Sequence, residues 1–167
     1  MHAQYVGVAA GGVFSQRPSN SDNVGGSFLV AADAGLPLLP FLSAGMHYSF
    51  AKPDLTPQIS IPVLGAVRLT AHTLTFDARL HTPEFGGWRA FGLAGAGMTR
   101  FNAGASALPT LSVSTTEGVF TFGGGFEKRF APLWRAKFEV RDYVTSSFFS
   151  SDPWHRVAVT FGVVFGR

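Results

Sequence analysis

Residues Phe120–Tyr143 read FTFGGGFEKRFAPLWRAKFEVRDY, and on both sides of Ala131–Leu133 they alternate with a period of two. After the break, Trp134, Ala136, Phe138 and Val140 fall on one phase and Arg135, Lys137, Glu139, Arg141 and Tyr143 on the other. Before it, Phe120, Phe122 and Phe126 alternate with Thr121, Gly123, Gly125, Glu127 and Arg129. A strand sends successive side chains to opposite faces, so each half reads as a strand with one bulky apolar face and one face of small or charged residues. Pro132 sits at the connection, where a missing backbone N–H breaks no ladder. Closing the hairpin across Phe130–Leu133 predicts Arg129 opposite Arg135, Glu127 opposite Lys137, Gly125 opposite Glu139 and Gly123 opposite Arg141. A glycine opposite a long ionic side chain leaves room for it.

The same rhythm runs outward through the 167 residues, with prolines as punctuation. The ten prolines fall in seven clusters of breakers, at 18, 37/40, 53/57/62, 83, 109, 132 and 153. They divide the chain into eight segments, and strands are predicted at 5–14, 26–36, 41–50, 68–81, 88–101, 117–129, 134–144 and 155–166. Short connections (36–40, 82–87, 130–133) alternate with long ones rich in Ser, Asn, Pro and Gly (15–25, 51–67, 102–116, 145–154). No helical segment interrupts them. The 20 glycines and 10 prolines argue against helices on their own, since Gly costs about 1 kcal/mol and Pro about 3 in a helix interior. The expected fold is therefore all-β, a single domain over 1–167 built as an eight-stranded antiparallel up-and-down barrel.

Which phase faces inward separates a soluble barrel from a transmembrane one. Only 14% of the residues are charged, against about 25% in a typical soluble chain. A water-facing phase carries Lys, Glu, Thr and Gln, whereas here the polar phase is full of Gly, Ala and Ser, punctuated by a few large charges. Small residues fit the interior of a closed eight-strand barrel, which is just wide enough for side chains to fill. The apolar phase carries almost no charge within the strands, as a lipid-facing surface requires. Its exceptions, Arg89, Lys128 and Asp142, fall near strand ends, within reach of headgroups. Arg68 and His72 break the phase of the fourth strand, where a bulge or phase change is expected. Tyr5, Phe14, Tyr48, Phe50, Trp88, Phe101, Phe130, Trp134, Tyr143 and Trp154 lie near strand termini, the placement of interfacial aromatic girdles. These features select a transmembrane β-barrel over a soluble one. A transmembrane helix is excluded, because the apolar, uncharged window 34–51 is broken by Gly35, Pro37, Pro40 and Gly45.

The stretch Trp88–Arg100, WRAFGLAGAGMTR, and the segment from Phe122, FGGGFEKRFAPLWRAKFEVRDYVTSSF, with the terminal HRVAVTFGVVFGR, resemble bacterial outer-membrane β-barrel domain proteins, the small eight-stranded barrels of the OmpA/OmpX/OmpW type. In the first half only the strand rhythm is similar. The resemblance implies a bacterial outer-membrane location, with both termini periplasmic and a signal peptide removed ahead of the mature chain. It implies membrane lipid and lipopolysaccharide as surroundings, no nucleic-acid partner and a monomeric state. The last strand, alternating to Phe165, resembles the signal read by the outer-membrane assembly machinery, although Gly166 and Arg167 follow the aromatic here. The peptidoglycan-tethering role of two-domain relatives is not expected.

The chemistry expected of the lumen is ionic. Its charged residues are expected to be Asp33, Asp77, Arg79, Arg100, Glu127, Arg129, Arg135, Lys137, Glu139 and Arg141, with Arg156 on the last strand. As a structural network they would plug the barrel. As a pore lining, their cationic excess would favour anions. The plug is the expected reading, because eight strands leave no aqueous channel. A lipid A-modifying enzyme is the other alternative, on His47 and Ser49, since a serine needs a neighbouring base to attack at neutral pH. Both face the expected lumen, out of reach of a lipid ester, so no catalytic residue is assigned and the expected role is structural or surface-interaction. Cysteine is absent, and the five histidines show no metal-ligand spacing. Gly95-Ala96-Gly97 and Gly123-Gly124-Gly125 lie inside strands with no Gly-Lys-Ser and no following helix, so they are not phosphate loops. No metal or cofactor is expected. The charge of +3 includes no basic run of the kind that binds nucleic acid.

Overall fold

The computed structural model describes residues 4–16, 26–52, 67–105, 112–145 and 154–166. Eight strands follow one another: β1 (Tyr5–Gln16), β2 (Gly26–Leu39), β3 (Leu42–Ala51), β4 (Val67–His81), β5 (Trp88–Ala105), β6 (Ser112–Ala131), β7 (Trp134–Thr145) and β8 (Trp154–Gly166). Each pairs antiparallel with its neighbours in sequence, and β8 pairs with β1, closing the sheet into a barrel. The register climbs steadily around the ring. From Arg135 on β7 it passes through Val164, Gly7, Asp33, His47, Thr75, Gly97 and Val119 and returns to β7 at Thr145, 10 residues further along the strand. A stagger of that size over eight strands tilts them about 40° from the barrel axis.

The two phases are inverted relative to a soluble protein. Phe120 is 69% exposed on the outside, while Arg141 is 1% exposed on the inside. Phe28, Phe76, Phe122, Phe126 and Phe161 share the outer surface with Phe120, and Trp134 packs at a tilt against Phe165 there, 4.9 Å between ring centroids. Inside lie Asp33, Asp77, Arg79, Glu127, Lys137, Glu139 and a ring of threonines. Only a solvent as apolar as hydrocarbon makes this arrangement stable. Closure leaves no strand edge unpaired, which is the condition for crossing lipid with strands.

The β6–β7 hairpin has the predicted register, with Arg129↔Arg135, Glu127↔Lys137, Gly125↔Glu139 and Gly123↔Arg141 as partners. Several elements depart from the sequence expectations. β5 and β6 reach further into the predicted connection at 102–116, pairing out to Gly104↔Ser112. Pro37 belongs to β2, where the register shifts between Pro37 and Leu39, as a residue without an N–H can do at a strand end. β4 has no bulge: its ladder to β5 runs unbroken from Val67↔Ala105 to His81↔Phe91, and His72 is part of it. The remainder of the long connections, at 17–25, 53–66, 106–111 and 146–153, lies outside the described residues.

Tyr5, Phe101 and Tyr143 face the lumen rather than a membrane interface. Tyr5 shows why. It crosses the paired Gly35 and Gly45 of β2 and β3, and a Cβ placed on Gly45 would lie 2.7 Å from the Tyr5 hydroxyl. The two glycines form a shallow seat on the inner wall that the ring fills.

Candidate functional site: a charged lumen

At mid-height, β2, β3 and β4 face β7, which lies four strands from β3 in either direction and so on the far side of the ring. Their inward phase supplies Asp33, His47, Asp77 and Arg79 from one wall and Lys137, Glu139 and Arg141 from the other. Asp33 accepts from Arg79 at 2.5 Å, from Lys137 Nζ at 2.5 Å, and is bonded to His47 Nδ1 at 2.8 Å. The other nitrogen of His47 meets the Tyr143 hydroxyl at 2.8 Å. Glu139 accepts from Arg141 Nε at 2.9 Å and Lys137 Nζ at 3.2 Å. Arg141 Nη1 donates to Asp77 Oδ2 at 2.7 Å, while Thr75 donates to Asp77 Oδ1 at 2.8 Å. Every one of these side chains is buried.

The cluster therefore joins opposite walls through three carboxylates and three cations whose formal charges cancel. Burying charges in a low-dielectric interior is tolerable only with close partners on each, and Asp77 accepts further from Thr75 and Thr121 while Asp33 is bonded to His47. The glycine opposite Asp77, Gly95, makes the space: a Cβ there would run into the Asp77 carboxylate.

The two ends of the lumen have their own groups. At the short-turn end Arg89 pairs with Glu127, Arg129 with Glu84, and Arg135 stands 3.6 Å from Glu84. Glu84 lies in the β4–β5 turn. Slight desolvation raises its carboxyl, and the Arg129 and Arg135 guanidiniums outweigh this and hold it below the usual range. Ser43 and His81 are hydrogen-bonded at 2.9 Å nearby. At the other end Arg156 donates to Thr99 at 3.1 Å and lies over the rings of Phe101 and Tyr143, at 5.0 and 5.5 Å.

The structure thus brings together Asp33, Asp77, Arg79, Lys137, Glu139 and Arg141, and sets other expected lumen residues elsewhere. Arg100 is on the outside, because the buried Thr99 occupies the inward phase of β5 and a one-residue step reverses the face. Arg129 is exposed at the rim, paired with Glu84 of the adjoining β4–β5 turn. Glu127 faces Lys137 in register but pairs with Arg89, while Lys137 reaches across to Asp33. Arg89 consequently faces inward, not toward headgroups. β5 misleads because its inward phase carries Phe91 and Leu93 and its outward phase Ala90, Gly92, Ala94 and Ala96, so hydrophobic contrast points the wrong way. His47 and Tyr143 belong to the network: strand phase puts both on the inner face, but nothing in the sequence pairs them with each other across the lumen. His47 gives both ring nitrogens to Asp33 and Tyr143 and makes no bond to Ser49. Among the described residues, no group of three metal-ligating side chains converges.

No protein-family model matches the sequence, and no curated protein matches it by sequence. Solved structures do match. Neisserial surface protein A superposes with a TM-score of 0.78 at 13% identity, covering 98% of this chain and 97% of that one. Ail, the attachment invasion locus protein of Yersinia pestis, gives 0.65 at 10% identity with 99% of each chain covered. The N-terminal barrel domain of Pseudomonas aeruginosa OprF gives 0.62 at 15% identity over the full length of both. With its apolar exterior, ionic interior and closed eight-strand meander, the chain has the fold of the small β-barrels of bacterial outer membranes.

Proposed function

We propose that this protein is a non-enzymatic outer-membrane barrel whose lumen is closed by its ion-pair network and whose work is structural or done at its surface. The observation that carries this reading is the neutral cluster of Asp33, Asp77, Glu139, Arg79, Lys137 and Arg141 joining opposite walls at mid-height. A permeating ion would have to break those contacts, and a cluster of zero net charge offers an anion no compensation. A hydrolytic role finds little support. Both ring nitrogens of His47 are taken by Asp33 and Tyr143, and His81, bonded to Ser43, has among the described residues no hydrogen-bond partner on Nδ1 to orient it as a base. Similarity of fold to a surface protein and to an attachment-invasion protein supports surface interaction as the role.

The test is conductance. Refolded protein in planar bilayers should show no sustained unitary current, and steady openings of the wild type would replace this reading with the pore. Incubation with lipid A followed by mass spectrometry should leave the lipid's mass unchanged.

A further inference from the structure

The lipid-facing phase carries one group of basic side chains that the lumen does not use. Arg100 on β5 is exposed on the outside, and its direct partner across the β4–β5 ladder is His72, also on the outer phase. His72 in turn pairs with Phe50 on β3, its ring 5.0 Å from that of Phe50. Lys52, one residue past the end of β3, holds its ammonium 5.9 Å above the same Phe50 ring. Beyond Arg100 the row continues to the exposed Thr116 of β6. Tyr48 lies below the group and bonds His72 Nδ1 at 2.8 Å. With the phenol as donor, the imidazole keeps its Nε2 N–H for an outside acceptor. Among the described residues, no acidic side chain shares this outer phase of β3–β6.

The height of the group defines what it meets. Arg100 stands 12 residues along β5 from Trp88. At about 2.5 Å of rise per residue in a strand tilted about 40°, this places it about 30 Å above the opposite aromatic girdle. The apolar band of such barrels is about 25 Å tall, so Arg100 lies just past its edge. Phe50 and Tyr48 mark that edge two strands away, on β3. The edge is at the end with the long connections, which in these barrels faces the outer leaflet.

We infer that Lys52, His72 and Arg100 form a binding site for the phosphorylated headgroup of an outer-leaflet lipid, lipid A in chemical class, with its acyl chains along the apolar wall below. Three cationic or donor groups on three adjacent strands match a phosphate oxygen set, and the Arg100 guanidinium can bind one bidentately. The inference rests on the outer-membrane reading above, but not on the closed lumen.

The test uses the whole barrel refolded in detergent, checked first for the gel-mobility difference between unheated and boiled samples that shows a folded membrane barrel. Absence of that difference in the wild type would count against the membrane reading itself. Native mass spectrometry then compares bisphosphorylated lipid A, the same lipid with its phosphates removed, and inorganic phosphate. The wild type should retain the phosphorylated lipid about tenfold more strongly than the dephosphorylated one. The triple variant Lys52→Gln, His72→Gln, Arg100→Gln should lose that preference, while Lys128→Gln, at the opposite interface, should keep it. If the triple variant does not fold, Arg100→Lys serves in its place: it keeps the charge, loses the fork and should weaken the preference only in part. Equal retention of both lipids by the wild type, or an undiminished preference in the triple variant, overturns the site. Displacement of the lipid by equimolar inorganic phosphate would show a soluble-anion site and overturn the lipid assignment.

Discussion

Glu139 shows what a single residue does in this lumen. It accepts from Lys137 and Arg141 inside a cluster whose charges cancel, so its loss leaves a buried excess positive charge. Glu139→Ala should cost about 3–5 kcal/mol, the range for breaking a buried ion pair from one side. Arg141→Ala should cost a similar amount, and the double variant should cost less than the sum by about 0.5–3 kcal/mol, because neutrality returns even though Asp77 loses its guanidinium. Urea unfolding in lipid or detergent measures all three, and simple additivity would mean that these side chains do not share one network. Outside, the opposite rule holds. Phe122 is exposed at mid-strand on the lipid face, and Phe122→Arg should destabilise the barrel by about 2–4 kcal/mol in a bilayer. A neutral effect there would be incompatible with the phase described.

At the scale of an element, the β4–β5 turn carries its own local devices. Gly86 and Gly87 adopt φ of 58° and 78°, a region costly to any residue with a Cβ. Gly87→Ala should lower stability by about 1 kcal/mol, read as a shift of the urea midpoint. In the same turn Glu84 holds Arg129 and Arg135, which would otherwise face each other as like charges across the β6–β7 ladder. Its carboxyl is held below the usual range when folded, so its contribution is present above the unfolded-state pKa and disappears as pH falls through the folded one. The difference in stability between wild type and Glu84→Gln should therefore be largest near neutrality and vanish in acid. A difference that is independent of pH would show that the clamp is not electrostatic.

The whole molecule draws its stability from closure. Every strand has two neighbours, and unfolding in a membrane would expose backbone groups to hydrocarbon that cannot bond them. The barrel should therefore resist detergent unless heated: in SDS, unheated and boiled samples should migrate differently. Identical mobility combined with solubility in the absence of detergent would identify a soluble barrel instead. The outer wall and the inner cluster are separate systems at this scale, so variants at Lys52, His72 or Arg100 should leave conductance unchanged, and variants of Glu139 should leave lipid retention unchanged.

Strand number, direction, hairpin register and the lipid-facing phase of most strands were legible in the sequence, because each depends on a period of two and on where proline interrupts it. The β6–β7 pairing is the clearest case: glycines opposite long charges left one comfortable register. β5 was misleading, since Phe91 and Leu93 face in while alanines and glycines face out, so its contrast points to the wrong face. Tertiary structure alone decided which charges meet. Glu127 and Lys137 are neighbours across a ladder, yet one turns to Arg89 and the other spans the lumen to Asp33. Partners on opposite walls are brought together by closure and by a stagger of 10 residues around the ring, and both are properties of the completed circuit that no pair of adjacent strands contains.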